Sequence, residues 1–163
     1  MIDSCVGADP GPATGLCLLD YREGQLVGRM LLQVTADCAA AVLRDLLESR
    51  KNGMVAGRRV ASVEKFVTGT SAGSRGKPAD VTRQLVMELA EVLQMFGYTV
   101  NIRPAADVKQ WASNKRLVAA GIVASEKGMH GDMNHSYDAA RHCIYGAHDA
   151  GVIPDPLLRR PAH

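Results

Sequence analysis

The chain has 163 residues and a net charge of +2, with 47% hydrophobic and 22% charged residues. That ordinary globular balance excludes collagen-like, low-complexity and disordered classes, and the length fits one domain able to bury roughly 70% of the surface its unfolded chain exposes. No stretch reaches the ~18 uninterrupted apolar residues of a membrane span, and no basic lead followed by a long apolar run opens the chain, so a soluble, cytoplasmic protein with no membrane partner is expected.

Residues 5–20 read CVGADPGPATGLCLLD, two short apolar runs around a Gly/Pro-rich turn, which predicts a hairpin. A third run over 26–34 adds a strand. Leucines and alanines at helical spacing predict a helix over 37–49, with Asp37 as its N-cap. A short buried strand follows at 60–64, and then a Gly/Ser/Thr-rich stretch over 67–78 reads as a flexible basic loop carrying Arg75 and Lys77. The next helix, over 80–97, is apolar almost all the way round (Leu85, Val86, Met87, Leu89, Val92, Leu93, Met95, Phe96), more than one sheet-facing stripe needs. A strand over 98–103, a broken helical region over 106–120 and a final helix over 134–150, capped by Asn134, complete the series. Pro154, Pro156 and Pro161 mark an irregular tail over 154–163, which leaves 1–153 as the single domain. The order β-β-β-α-β-α-β-α-α describes an α/β protein whose central mixed sheet begins antiparallel and ends with crossover helices.

Charge is unevenly spread. Residues 50–116 hold twelve Lys/Arg against five Asp/Glu, a surplus of +7, whereas the rest holds seven against twelve, or −5. The middle of the chain is therefore the part suited to a polyanion. Aromatics at 4% are too few for a broad base-stacking platform. Cys5, Cys17, Cys38 and Cys143 lack metal-site spacing and read as small buried hydrophobes in a reducing compartment.

The acidic residues suggest chemistry. Asp9 ends the first apolar run, Glu64 ends another in RVASVEKF, and His135 and Asp138 lie three apart at the start of the last helix, on one face. Carboxylate oxygens suit hard cations such as Mg²⁺ or Mn²⁺, and two such ions about 3.5–4 Å apart would support phosphodiester hydrolysis. Singly, each residue has a simpler role: Asp9 in the turn, Glu64 paired with Lys65 or another surface base, Asp138 bonded to Arg141, His135 at a helix surface. The combination with the element order is what points to a metal site.

These residues resemble the RuvC-type Holliday junction resolvases of the RNase H-like superfamily, through most of the chain. GADPGPATG at 7–15 is similar to that family's first-strand motif, SVEKF at 62–66 to the motif around its glutamate, DVKQWASNKRLV at 107–118 to its basic segment, and HSYDAARH at 135–142 to its closing helix. The resemblance implies an RNase H-like fold, with a five-stranded mixed sheet flanked by helices. It implies Asp9, Glu64, His135 and Asp138 as ligands of two Mg²⁺ ions per site, with Mn²⁺ able to substitute; His135 stands where many members carry Asp. Lys109 and Lys115 become the catalytic or DNA-binding lysines, with Arg116 an alternative to Lys115. Lys65, Phe66, Arg75 and Lys77 join the DNA-binding set, Phe66 lying close to where members carry an aromatic wedge. The implied activity is resolution of four-way and other branched DNA by a homodimer, a state the apolar helix over 80–97 also suggests. A nuclease acting on structured RNA or RNA–DNA hybrid is the alternative enzyme, and a silent DNA-binding relative the alternative without catalysis. An actin-like phosphotransferase needs two such domains and does not fit the length.

Overall fold

β1 (Ile2–Asp9) is the middle strand of a five-stranded sheet and is buried along most of its length, so its sequence is almost continuously apolar. In the computed structural model, which describes residues 1–51, 56–66, 77–129 and 133–158, the other strands are β2 (Ala13–Arg22), β3 (Gln25–Thr35), β4 (Ala56–Glu64) and β5 (Thr99–Arg103). Their order is β3-β2-β1-β4-β5. β1 pairs antiparallel with β2, and β2 with β3, whereas β4 runs parallel to both β1 and β5. The expected mixed α/β sheet is thus the one that forms. Glu23 and Gly24 turn β2 into β3 with φ of 50° and 72°, the two positive values of a tight hairpin turn that follows strand twist.

The sheet separates two cores. On one face α1 (Ala36–Arg50) and α2 (Lys77–Met95) pack over Val6, Ala8, Leu16, Leu18, Ala61 and Val63. The other face, with Cys5, Cys17, Leu19, Tyr21 and Val60, receives α5 (Asn134–Asp149) together with α3 (Ala105–Trp111) and α4 (Asn114–Ala119). Strand alternation sorts the residues: Cys5, Gly7 and Asp9 turn toward α5, and Val6 and Ala8 turn away.

Several local expectations need correction. Thr35, not Asp37, is the N-cap of α1; Asp37 lies in the first turn and accepts a hydrogen bond from the Thr35 hydroxyl. Met133, not Asn134, precedes α5, with no side-chain cap. Cys38 is half-exposed, whereas Cys5, Cys17 and Cys143 are buried, and all four are free. Lys77 opens α2 instead of closing a loop, since Pro78 suits a first helical turn, where its missing N–H costs nothing. The remainder of the expected loop, residues 67–76 with Arg75, lies outside the described residues. Of the apolar residues on α2, Leu85, Val86, Leu89, Val92 and Leu93 are buried within the chain, leaving Met87 and Met95 exposed beside Val81. After α5, Pro156 is buried and opens a single 3₁₀ turn, Pro156–Leu158. Among the described residues no helix is long and apolar enough to cross a membrane.

Candidate functional site

Parallel pairing of β1 with β4 aligns Ala8 with Val63, so the next residues, Asp9 and Glu64, emerge side by side where both strands end. Clefts at the carboxyl ends of parallel strands are where α/β sheets commonly bind ligands. Two glycines then bring α5 down onto this end of the sheet. A Cβ on Gly7 would lie 1.9 Å from the Ala139 carbonyl oxygen, and one on Gly15 only 1.8 Å from that of His135. With hydrogen there instead, the helix backbone rests almost on the sheet, and the short side chains of its first turns reach the strand ends.

The result is a meeting of the four predicted ligands. Asp9, 8% exposed, has Oδ2 2.7 Å from His135 Nδ1. Burial, followed by the nearby negative charge of Glu64, raises the Asp9 carboxyl above its usual range; His135 opposes this and Asp138 adds to it. The repulsion means that the three carboxylates share one electrostatic field. Asp138 is neutralised from two sides: Lys109 Nζ donates to Oδ2 at 3.0 Å, and Arg141 donates to Oδ1 while also reaching the Asn114 side chain. Glu64 does not pair with Lys65; its Oε2 lies 3.2 Å from His142 Nε2.

His142 was not among the predicted residues. Its signal was present in the sequence, since 135, 138 and 142 fall at i, i+3 and i+7 on one helix stripe. The same spacing equally describes a core-facing stripe, and the contact with Glu64 spans 78 residues.

Oxygen-rich donors around a converging negative field fit a hard divalent cation. Among the described residues, however, no three His, Cys, Asp or Glu side chains stand in metal-holding geometry. Asp9, Glu64 and Asp138 are instead held by His135, by His142, and by Lys109 with Arg141.

The basic and aromatic residues divide more sharply. Lys65 is exposed and, with Pro10, Glu64, Phe66 and Pro104, lines an open cleft of about 480 Å³. Phe66 is half-buried against the α1/α2 core, with the Arg83 guanidinium 5.4 Å from its ring centre. Lys115 is exposed and has no partner among the described residues. Arg116 is committed elsewhere: Nε and Nη2 donate to Asp155 at 3.0 and 2.7 Å, Nη1 donates to the Trp111 carbonyl, and the guanidinium stacks 4.7 Å from the Trp111 ring. Lys77 stands at the start of α2.

No protein-family model matches the chain, and no curated protein matches it in sequence. Solved structures do match in shape. Thermus thermophilus RuvC in complex with Holliday junction substrate superposes with a TM-score of 0.61 at 17% identity, covering 93% of this chain and 96% of that one. A second Thermus thermophilus RuvC structure gives 0.59 at 16%, with the same coverage. This chain has the fold of those RuvC structures, a mixed five-stranded sheet flanked by helices.

Proposed function

We propose that this protein is a metal-dependent endonuclease that cuts four-way and other branched DNA, with Asp9, Glu64, His135 and Asp138 as the ligands of two Mg²⁺ ions, Mn²⁺ being able to substitute. The observation that carries this reading is the convergence of Asp9 and Glu64, from adjacent parallel strand ends, with His135 and Asp138 from α5. The likeness to RuvC, one of whose structures holds a Holliday junction substrate, supports the choice of branched DNA. When bound, such ions supply an activated water and charge stabilisation for phosphodiester hydrolysis.

The chain's own groups prepare the site. Asp9, mostly buried, has its carboxylate fixed by the contact with His135 Nδ1 at the end of β1. Lys109, at 3.0 Å from Asp138, neutralises that carboxylate in the free protein and is near enough to the ligand set to meet a phosphate there. Lys115, exposed and unpaired among the described residues, is a phosphate contact; Arg116, tied to Asp155 and Trp111, serves the fold. Lys65 and Phe66 border the cleft beside Glu64 and are the cation and aromatic placed to meet DNA there. A homodimer built partly on the exposed Val81, Met87 and Met95 of α2 would present two such sites to two equivalent strands.

The test is a panel of labelled four-way junction, flap, plain duplex and RNA–DNA hybrid incubated with Mg²⁺ or Mn²⁺. Cleavage of the junction ahead of duplex and hybrid is expected. Preferential cutting of the hybrid would reassign the substrate to RNA-containing duplexes, and binding of all four without cutting would make the protein a silent relative.

A further inference from the structure

α5 carries another polar side chain on the stripe that presents His135 and Asp138. His142 lies four residues after Asp138, one turn deeper into the protein, and is fully buried. A buried imidazole needs partners for its nitrogens, and this one has two. Nε2 lies 3.2 Å from Glu64 Oε2, and Nδ1 lies 3.3 Å from Ser62 Oγ. Both partners belong to β4 and stand two residues apart, so both project toward α5. Ser62 is itself fully buried.

The chemistry of the three groups sets the direction of the bonds. An ionised carboxylate only accepts, so the hydrogen facing Glu64 belongs to Nε2. In the neutral ring Nδ1 is then an acceptor, which the Ser62 hydroxyl satisfies by donating. The Ser62–His142 pair thus anchors one oxygen of Glu64 from the dry side, while the same residue borders the open cleft with Pro10 and Lys65. We infer that His142 is a positioning residue for Glu64, fixing the orientation of its carboxylate toward a divalent cation. This rests on the metal-dependent reading of the site. Outer partners that orient metal-binding carboxylates are typically worth roughly 10–100-fold in affinity or activity, whereas a histidine that merely fills the core would leave metal binding unchanged.

The experiment uses the full chain without DNA, with Mn²⁺ alone as the probe followed by calorimetry and by its electron spin resonance signal. His142→Leu, apolar and of similar bulk, is expected to bind Mn²⁺ roughly 10–100-fold more weakly than wild type while melting cooperatively. His142→Gln keeps an N–H donor at a comparable reach and is expected to recover most of the affinity; His142→Asn, one carbon shorter, is not. Long-range proton–nitrogen spectra of the metal-free protein are expected to place a hydrogen on His142 Nε2, with a resonance that moves in Glu64→Gln.

A folded His142→Leu with wild-type Mn²⁺ affinity would overturn the inference. So would a neutral ring with its hydrogen on Nδ1. Should the leucine variant fail to fold, equal affinities of His142→Gln and His142→Asn would do the same. A wild-type protein that neither binds Mn²⁺ nor cuts any nucleic acid would remove the functional reading itself, and the Nε2 resonance would still report whether His142 holds Glu64.

Discussion

The two faces of the sheet are closed by helices in different ways. On the α1/α2 face a thick layer of leucine and valine separates helix from strand, and Leu43, Leu89 and Leu93 are fully buried in it. On the α5 face glycines let backbone meet backbone, and the interior includes His142, Ser62 and three cysteines. A leucine layer tolerates small shifts of a helix because its side chains can repack. A glycine seat does not, and it fixes where His135, Asp138 and His142 stand relative to Asp9 and Glu64. One face supplies cohesion, and the other supplies position.

Substitutions can break that distinction, and the largest effect is expected at the strand ends. Asp9→Asn and Glu64→Gln should each abolish junction cleavage and leave junction binding near wild type in a gel-shift titration, because affinity for nucleic acid comes mostly from cations against phosphate. Full activity in either variant would take the chemistry away from the α5 face. Next come the seats. Gly15→Ala or Gly7→Ala should destabilise by about 3 kcal/mol or more, since the added methyl meets helix backbone that cannot rotate aside. Leu89→Ala on the other face should cost a similar 2–5 kcal/mol, about the usual range for an emptied core site, yet retain normal activity per folded molecule. Chemical denaturation combined with cleavage rates at low temperature checks both; equal loss of specific activity in the leucine variant would erase the contrast.

Smaller effects sharpen it. His135→Ala should lose much of the cleavage rate, whereas His135→Asp should keep a substantial part, because an oxygen donor at the same helical position suits Mg²⁺ at least as well. Lys109→Ala and Lys115→Ala should slow cleavage and each lower the log–log salt slope of binding by about 0.9 for one lost phosphate contact. Arg116→Ala should leave that slope alone. Its partner gives the smallest effect: the Arg116 hydrogen bonds hold the Asp155 carboxyl below the ordinary 3.8. A lowered value adds stability that is present above the unfolded-state pKa and is lost as pH falls through the folded-state value. Asp155→Asn should therefore be about 1 kcal/mol less stable than wild type at neutral pH, with the gap closing in acid. A gap that persists at low pH would mean packing, not charge, at that position.

What the sequence disclosed followed from how local each signal is. Asp9 and Glu64 were legible because each is a lone acid closing an apolar run, and the apolar runs are strands. His135 and Asp138 were legible from helical spacing. The Arg141 contact to Asp138, one turn away, was foreseen as well. His142 and Arg116 were not assigned correctly to partners because Glu64 and Asp155 lie 78 and 39 residues away, at distances that only sheet register and tail packing determine. The start of α2 was missed because Gly, Ser and Thr upstream outweighed Pro78. Both helix caps were misplaced for a related reason: α1 and α5 begin without the side-chain cap bond that marks a start in sequence.

The tight turn at Glu23 and Gly24 closes the far end of β2, a strand whose other end pairs with β1 at Asp9. Ten residues of strand set the two ends about 30 Å apart. A dye or surface tether attached at Glu23 would therefore ride on the rigid sheet, too distant to disturb Asp9 and Glu64, and within energy-transfer range of a label on any nucleic acid the proposed site binds. With Cys5, Cys17 and Cys143 buried, replacing the half-exposed Cys38 would leave a cysteine introduced at Glu23 as the preferred point of attachment.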